Sequence, residues 1–245
     1  MSTPAKGRLT GVGVGPGDPE LLTLKALKAL EKADVVAHFA KRGGNGNAWS
    51  IVEPYVRPGW IKLPLIYPVT TEIPKENNDY RNQLADFYAE SVHRVTEQLD
   101  SGRNVASLSE GDPLFYGSYM HLHVRLADRY ETEVIPGVTA MSGSWSQAGV
   151  PITQGDDVLT VLPGTLGEEE LTRRLRDTDA AVIMKVGRNL PKVRRALREA
   201  GMLERAIYVE RATMAQTHTM RLADKADDEA PYFSIVLVPG WADKP

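Results

Sequence analysis

Gly11-Val12-Gly13-Val14-Gly15-Pro16-Gly17-Asp18-Pro19-Glu20 closes the first apolar run of this 245-residue chain, and its reading decides which kind of α/β protein this is. The glycines suggest a dinucleotide fingerprint, which needs G-x-G-x-x-G opening a helix so that pyrophosphate can rest on unpaired amide donors. Neither register supplies it. Counted from Gly11 the third glycine position is Pro16, and counted from Gly13 it is Asp18, a carboxylate where a phosphate would be repelled. The glycines still allow a ligand to approach the backbone, but Pro16 has no amide hydrogen to offer a phosphate. The loop therefore suits a nucleoside-like ligand better than a pyrophosphate.

Outward from that loop, short β-rich runs alternate with helical patterns, which is the signature of an α/β fold. Arg8 to Val14 reads as a buried strand and Glu20 to Ala33 as a helix, with Leu21, Leu24, Leu27 and Leu30 on one stripe and Asp18 as N-cap. Val35 to Phe39 is a second strand. The Gly/Asn-rich segment after it is a loop, and Ile61 to Ile66 is a third strand that Pro64 assigns to a sheet edge. Tyr67 to Asn78, with two prolines, reads as a mobile excursion. Leu84, Phe87, Tyr88, Val92, Val95 and Leu99 then mark the clearest helix, which Ser101-Gly102 stops before a fourth strand, Val105 to Ser109.

The second half continues the alternation. Helices are expected at 117–129, 139–148, 168–176 and 191–200, and strands at 133–135, 158–162, 181–186, 206–209 and 232–238. The pattern predicts two α/β domains, residues 1–117 and 118–245 with the division somewhere between 117 and 155, and a ligand cleft between them. Three further glycine turns stand just past strand ends, where open α/β sheets keep their ligands: Glu110-Gly111-Asp112-Pro113-Leu114-Phe115-Tyr116-Gly117, Pro136-Gly137-Val138-Thr139-Ala140 and Pro163-Gly164-Thr165. One such turn is only a turn; four in one chain point to a site. Asp112 could accept hydrogen bonds from a ribose or an amine.

Composition narrows the function. The absence of cysteine excludes disulfides, thiolate metal sites and cysteine nucleophiles. No apolar run approaches the roughly 20 residues of a membrane span, and the expected location is the cytoplasm. A net charge of -3 gives no general reason to expect nucleic acid. No metal site is expected, because there is no HExxH and His121 and His123 point to different helix faces. Gly-Lys-Ser/Thr and G-x-S-x-G are both missing, which removes NTPases and serine hydrolases.

GVGPGDPELLTLKA at 13–26, EGDPLFYGS at 110–118, PGVTA at 136–140, DVLTVLPG at 157–164, AVIMKVGR at 181–188 and YVERAT at 208–213 resemble the tetrapyrrole methylases, the S-adenosylmethionine-dependent enzymes of cobalamin and sirohaem synthesis. The resemblance runs from about Leu9 to Val238. The Phe-Tyr-Gly-Ser ending, LPG, MKVGR and YVERAT are most similar to the branch that methylates C-20 of precorrin-2. Another methylase of the fold, such as one acting on uroporphyrinogen III, or a tetrapyrrole-binding protein without catalysis, is the alternative.

What the resemblance implies is a bed for S-adenosylmethionine. Pro16 closes over the adenosine side, Glu110, Gly111 and Asp112 line the methionine and ribose side, and Phe115 packs on the cofactor. Thr139 and Ala140 offer backbone groups, and Met184 and Ala212 flank the adenine. It also implies a homodimer. Glu110 and Tyr116 are the candidates for handling the proton that leaves the ring, since His38-Phe39 stands where some members carry a Tyr-Asp pair. A substrate with eight carboxylates needs basic partners, and Lys41 with Arg42 and Lys185 with Arg188 are the expected pairs. Lys192 to Arg198 reads instead as a solvated helix face.

Overall fold

The run Val35-Val36-Ala37 carries no polar residue because both faces of its strand are covered. In the computed structural model, which describes residues 5–68 and 78–240, this strand (β2, Val35–Lys41) lies inside a five-stranded parallel sheet with β1 (Leu9–Gly13), β3 (Ile61–Tyr67), β4 (Val105–Ser109) and β5 (Thr132–Ile135). The order is β3-β2-β4-β1-β5. Side chains alternate across a strand, so Val35 and Ala37 pack with Leu63, Leu65, Val95, Leu99 and Leu122, while Val36 packs on the other face with Val12, Ala26, Leu30 and Leu108. Helices α1 (Leu24–Glu31) and α2 (Asn47–Val52) supply the second face, and α3 (Asn78–Asp100) and α4 (Tyr119–Leu126) the first. The Pro64 expectation holds: among the described residues β3 pairs only with β2, at the edge of the sheet.

The second sheet is mixed. Here β6 (Leu159–Pro163) and β7 (Ala180–Met184) are parallel, and β10 (Ser234–Val238), β8 (Ile207–Glu210) and β9 (His218–Arg221) join antiparallel in the order β6-β7-β10-β8-β9. Helices α6 (Glu168–Arg176) and α7 (Leu190–Glu199) bury Leu171, Leu175, Leu190, Val193 and Leu197 against one face. On the other, Trp145 of α5 (Ala140–Ala148) packs around Val182, Val209 and Leu237.

One reading needs correction, and two elements go beyond what the sequence pattern predicts. The two compact units are Met1–Thr139 and Ala140–Pro245, a division inside the expected window of 117–155; β5 pairs with β1, and Leu122 and Leu126 fill the first core, which keeps residues 118–139 with the first unit. The helix placed at Glu20 to Ala33 is interrupted. Asp18 caps only a 3-10 turn, Pro19–Leu21; Leu22 is extended, and Thr23 caps α1 by accepting from Ala26 N–H at 3.1 Å. Helix α2 and strand β9 went unread, one being six residues long and the other mostly exposed polar residues without alternation. The excursion after Tyr67 falls mainly at 69–77, outside the described residues.

Candidate functional site

The alternating glycines of β1 are a packing device. A Cβ on Gly11 would lie 2.5 Å from the Tyr119 ring, so this glycine seats α4 against the sheet. A Cβ on Gly13 would lie 2.5 Å from Gly137 N and 2.7 Å from Gly111 O, and one on Gly137 would lie 2.1 Å from Gly111 O. Backbone therefore meets backbone at Gly13, Gly111 and Gly137. Gly15, with φ +82°, turns the chain so that its carbonyl accepts from Gly111 N–H at 2.8 Å. Three of the four loops singled out above thus converge at the carboxyl end of the parallel sheet, with buried Pro16 next to the crossing.

Asp112 fastens them. Its Oδ1 accepts from Leu114 N–H at 2.9 Å and its Oδ2 from Gly137 N–H at 3.2 Å. The sequence alone assigns this carboxylate to a ribose or an amine; the structure gives each oxygen a backbone partner first, because the loop turns back over its own side chain. Glu110 is also engaged: its Oε1 accepts from Ala48 N–H at 3.2 Å at the start of α2. Burial raises its pKa above the usual carboxylate range, and the bonds from Ala48 and Asn47 offset this only partly. Phe115 is half-buried, and its ring meets that of exposed Tyr116 edge-on at 4.9 Å. Thr139 and Ala140 follow two and three residues after Gly137, at the end of one unit and the start of the next.

Two groups beside these loops were not foreseen. His38 is fully buried and tilted against Trp49 at 5.0 Å, and its ring nitrogens face the backbone of Val36 and Asn45 without well-formed hydrogen bonds. Burial and then the Lys62 ammonium lower its pKa to about 4, so it is neutral at pH 7. Ser118, the last residue of the EGDPLFYGS motif, makes a short hydroxyl contact with Tyr67 and lies 3.4 Å from the Tyr88 hydroxyl. Tyr88 stacks on His121 at 3.6 Å, and Phe39 and Phe87 complete this aromatic cluster near the ends of β2 and β3. The Ser in the motif was the available signal; its partners lie 30 and 51 residues away.

The basic candidates separate. Lys41 and Arg42 are exposed at the end of β2, as are Lys185 and Arg188 after β7. The α7 stripe, read as a solvated face, is partly a paired one: Arg195 grips Glu168 at 2.8 Å, and Arg194, only 15% exposed, donates to Lys225 O and Asp227 O at 2.8 and 2.7 Å.

In the second unit the candidate residues sit beside backbone outliers. Among the described residues four non-glycines have positive φ: Tyr116 at 55°, Lys185 at 56°, Arg211 at 47° and Thr213 at 64°. Lys185 follows half-buried Met184, whose carbonyl accepts from Gly164 N–H at 2.6 Å. Arg211 and Thr213 flank Ala212. Such conformations cost about 1–3 kcal/mol each and persist where the surroundings impose them, commonly at ligand sites.

The sequence profile of the tetrapyrrole (corrin/porphyrin) methylases matches residues 8–226. The chain is 65% identical, over the full length of both proteins, to a precorrin-2 C(20)-methyltransferase of Sinorhizobium sp. It is 27% identical, over 95% of its length and 96% of the relative's, to a cobalt-precorrin-2 C(20)-methyltransferase of Salmonella typhimurium. Among solved structures, a cobalt precorrin-4 methyltransferase from cobalamin biosynthesis superposes with a TM-score of 0.73 at 25% identity, covering 97% of this chain and 96% of that one. From its glycine crossing to its second, mixed sheet, this chain belongs to the tetrapyrrole methylases, a family of S-adenosylmethionine-dependent enzymes.

Proposed function

We propose that the protein transfers a methyl group from S-adenosylmethionine to C-20 of precorrin-2 in cobalamin biosynthesis. The observation that carries the reading is the full-length 65% identity to a C(20)-methyltransferase, together with a loop crossing of the right chemistry. The turn after β1 fits a cationic nucleoside better than a phosphate: Pro16 lacks an N–H, and the Asp18 carboxylate already takes Glu20 N–H at 2.9 Å. Gly13 and Gly137 keep the crossing closed, since a Cβ on either would collide with neighbouring backbone, Gly111 O included.

In this reading Pro16, Gly111, Phe115, Thr139, Ala140, Met184 and Ala212 hold the cofactor, and Asp112 holds the loops that hold it. When bound, the cofactor supplies a sulfonium methyl that is already activated. The protein's contribution is orientation and exclusion of water; alignment at near-attack distance contributes up to about 7–11 kcal/mol in favourable cases. Glu110, its pKa raised by burial, is suited to take the proton that leaves the ring. Tyr116 lies against a pyrrole ring, and Lys41, Arg42, Lys185 and Arg188 meet ring carboxylates. The protein is a cytoplasmic homodimer; light scattering should give twice the chain's 27.0 kDa, and a monomer mass would dismiss the dimer.

The deciding experiment offers metal-free and cobalt-loaded precorrin-2 with carbon-13 methyl-labelled cofactor. Label at C-20 is expected. Label on any other carbon would reassign the chain to another methylase of the fold.

A further inference from the structure

The turn around Ala212 holds more polar structure than a connection between two strands requires. Ser234 and Tyr208 are 3% and 1% exposed. Ser234 Oγ donates to Pro231 O at 2.7 Å and lies 3.1 Å from the Tyr208 hydroxyl, which donates to Glu210 Oε2 at 2.9 Å. With the serine proton on Pro231, the single phenolic proton goes to the charged acceptor, Glu210. Burial pushes the Tyr208 hydroxyl up to about 12, so the donor persists through the neutral range. Glu210 Oε1 accepts from Arg211 Nη1 at 2.6 Å. The backbone is fixed too: Arg211 N–H donates to Phe233 O at 2.8 Å and Thr217 Oγ1 to Glu210 O at 3.4 Å.

A buried relay thus ends on a guanidinium whose side chain is 39% exposed. An ion pair between sequence neighbours at that exposure adds little to stability. Its geometry is nevertheless imposed on a residue with φ 47°, and the next residue but one is a β-branched outlier of the same kind. Fold stability therefore does not account for the arrangement, whereas presentation of a fixed planar cation does. One guanidinium carries five donors, and the pair with Glu210 uses Nη1.

We infer that Arg211 binds a carboxylate of a ligand at this site, and that Glu210 and Tyr208 are positioning residues that set the plane of its guanidinium. The inference rests on the methylase reading, in which the amino-acid end of S-adenosylmethionine carries one carboxylate and the tetrapyrrole eight. The two sources share one chemistry, and separate measurements distinguish them.

Arg211→Asn is the main test, because asparagine adopts the left-handed backbone readily and the fold should survive. Cofactor affinity is measured by calorimetry with S-adenosylmethionine alone, and the Michaelis constant with precorrin-2 under anaerobic conditions. One of the two should worsen about 10- to 100-fold, as for a lost charge-assisted contact, with kcat little changed and the melting temperature equal or higher. A change in calorimetry assigns the cofactor carboxylate; a change in the Michaelis constant alone assigns a ring carboxylate. Arg211→Lys should recover part of the loss, since it keeps charge without the fork. Tyr208→Phe and Glu210→Gln should give smaller rises in the same constant at unchanged kcat. If the wild-type protein methylates precorrin-2 and Arg211→Asn changes neither constant by more than twofold, the inference is overturned. If the wild-type protein does not methylate the ring, the functional reading fails, and the calorimetric result alone judges Arg211.

Discussion

The two units shape their candidate loops by opposite means. In the first, the loops leaving the parallel sheet are drawn together by missing atoms: Gly13, Gly111 and Gly137 touch backbone to backbone, and Asp112 ties two of the loops by accepting from Leu114 and Gly137. In the second, the turns after β7 and β8 contain side chains where glycine would be easier, with Lys185, Arg211 and Thr213 at positive φ, a conformation that among the described residues of the first unit only Tyr116 shares outside glycine. A parallel sheet brings several strand ends to one edge, so the first unit must solve a crowding problem. In the mixed sheet the connection from β8 to its neighbour β9 is a turn and β7 leads into α7, and at both places the backbone is bent at particular side chains. Added atoms should therefore harm the first unit, while relief of strain should help the second.

The largest effect expected is from Gly137→Ala, whose Cβ would start 2.1 Å from Gly111 O. No side chain can move aside there, so the loops themselves must part. We expect a loss of about 3 kcal/mol or more, at or above the upper end for overpacked sites, with S-adenosylmethionine binding reduced in parallel. A variant with unchanged melting temperature and affinity would break the comparison at its strongest point.

Acid stability separates the units next. His38, in the first sheet, has a folded pKa near 4 against about 6.5 when unfolded. The unfolded chain binds the proton more readily between those values, so stability is fully present above pH 6.5 and is lost as pH falls toward 4, by about 3 kcal/mol in all. The outlying buried group of the second unit, Tyr208 at about 12, is silent in that window. Hydrogen exchange at pH 7 and pH 4.5 should show opening confined to β2 and its neighbours, and His38→Leu should flatten the dependence. Equal loosening of both units would count against this assignment.

Asp112→Ala comes third. It frees the amides of Leu114 and Gly137, and we expect about 1–3 kcal/mol of destabilisation together with weaker cofactor binding. The sequence alone suggests an intact fold with only binding impaired, so a thermal melt beside calorimetry distinguishes a latch from a ligand contact. The smallest effect is a gain: Thr213→Asn should relieve a β-branched outlier and raise stability by about 0.5–1 kcal/mol. A melting temperature that falls would show that the turn is not strained as described.

Much of the fold was open to sequence reading where periodicity and length coincide. The strand Val105–Ser109 and the helix Glu168–Arg176 have the predicted bounds, because five consecutive buried positions and a clean apolar stripe leave little choice. The interruption after Asp18 was not open to it: Asp, Thr and the leucines fit one long helix locally, whereas in the structure Leu22 is extended and Thr23 caps a new helix. The unit division was open only as a window, 117–155; its place within that window depends on β5 choosing β1 across more than a hundred residues.

The site divides in the same way. The sequence by itself determined that glycine turns stand at the strand ends and to which family the motifs belong, because those are properties of residue type and spacing. Only the tertiary structure decided what the residues do there. That Gly11 makes room for a tyrosine ring, that Asp112 holds an amide 25 residues away, that His38 is stranded in a neutral state and that Arg211 stands at the end of a buried relay are facts about partners brought together by folding. Spacing along a chain fixes which groups are present; hydrogen bonds and desolvation act through space, and their partners are chosen when the strands find their order.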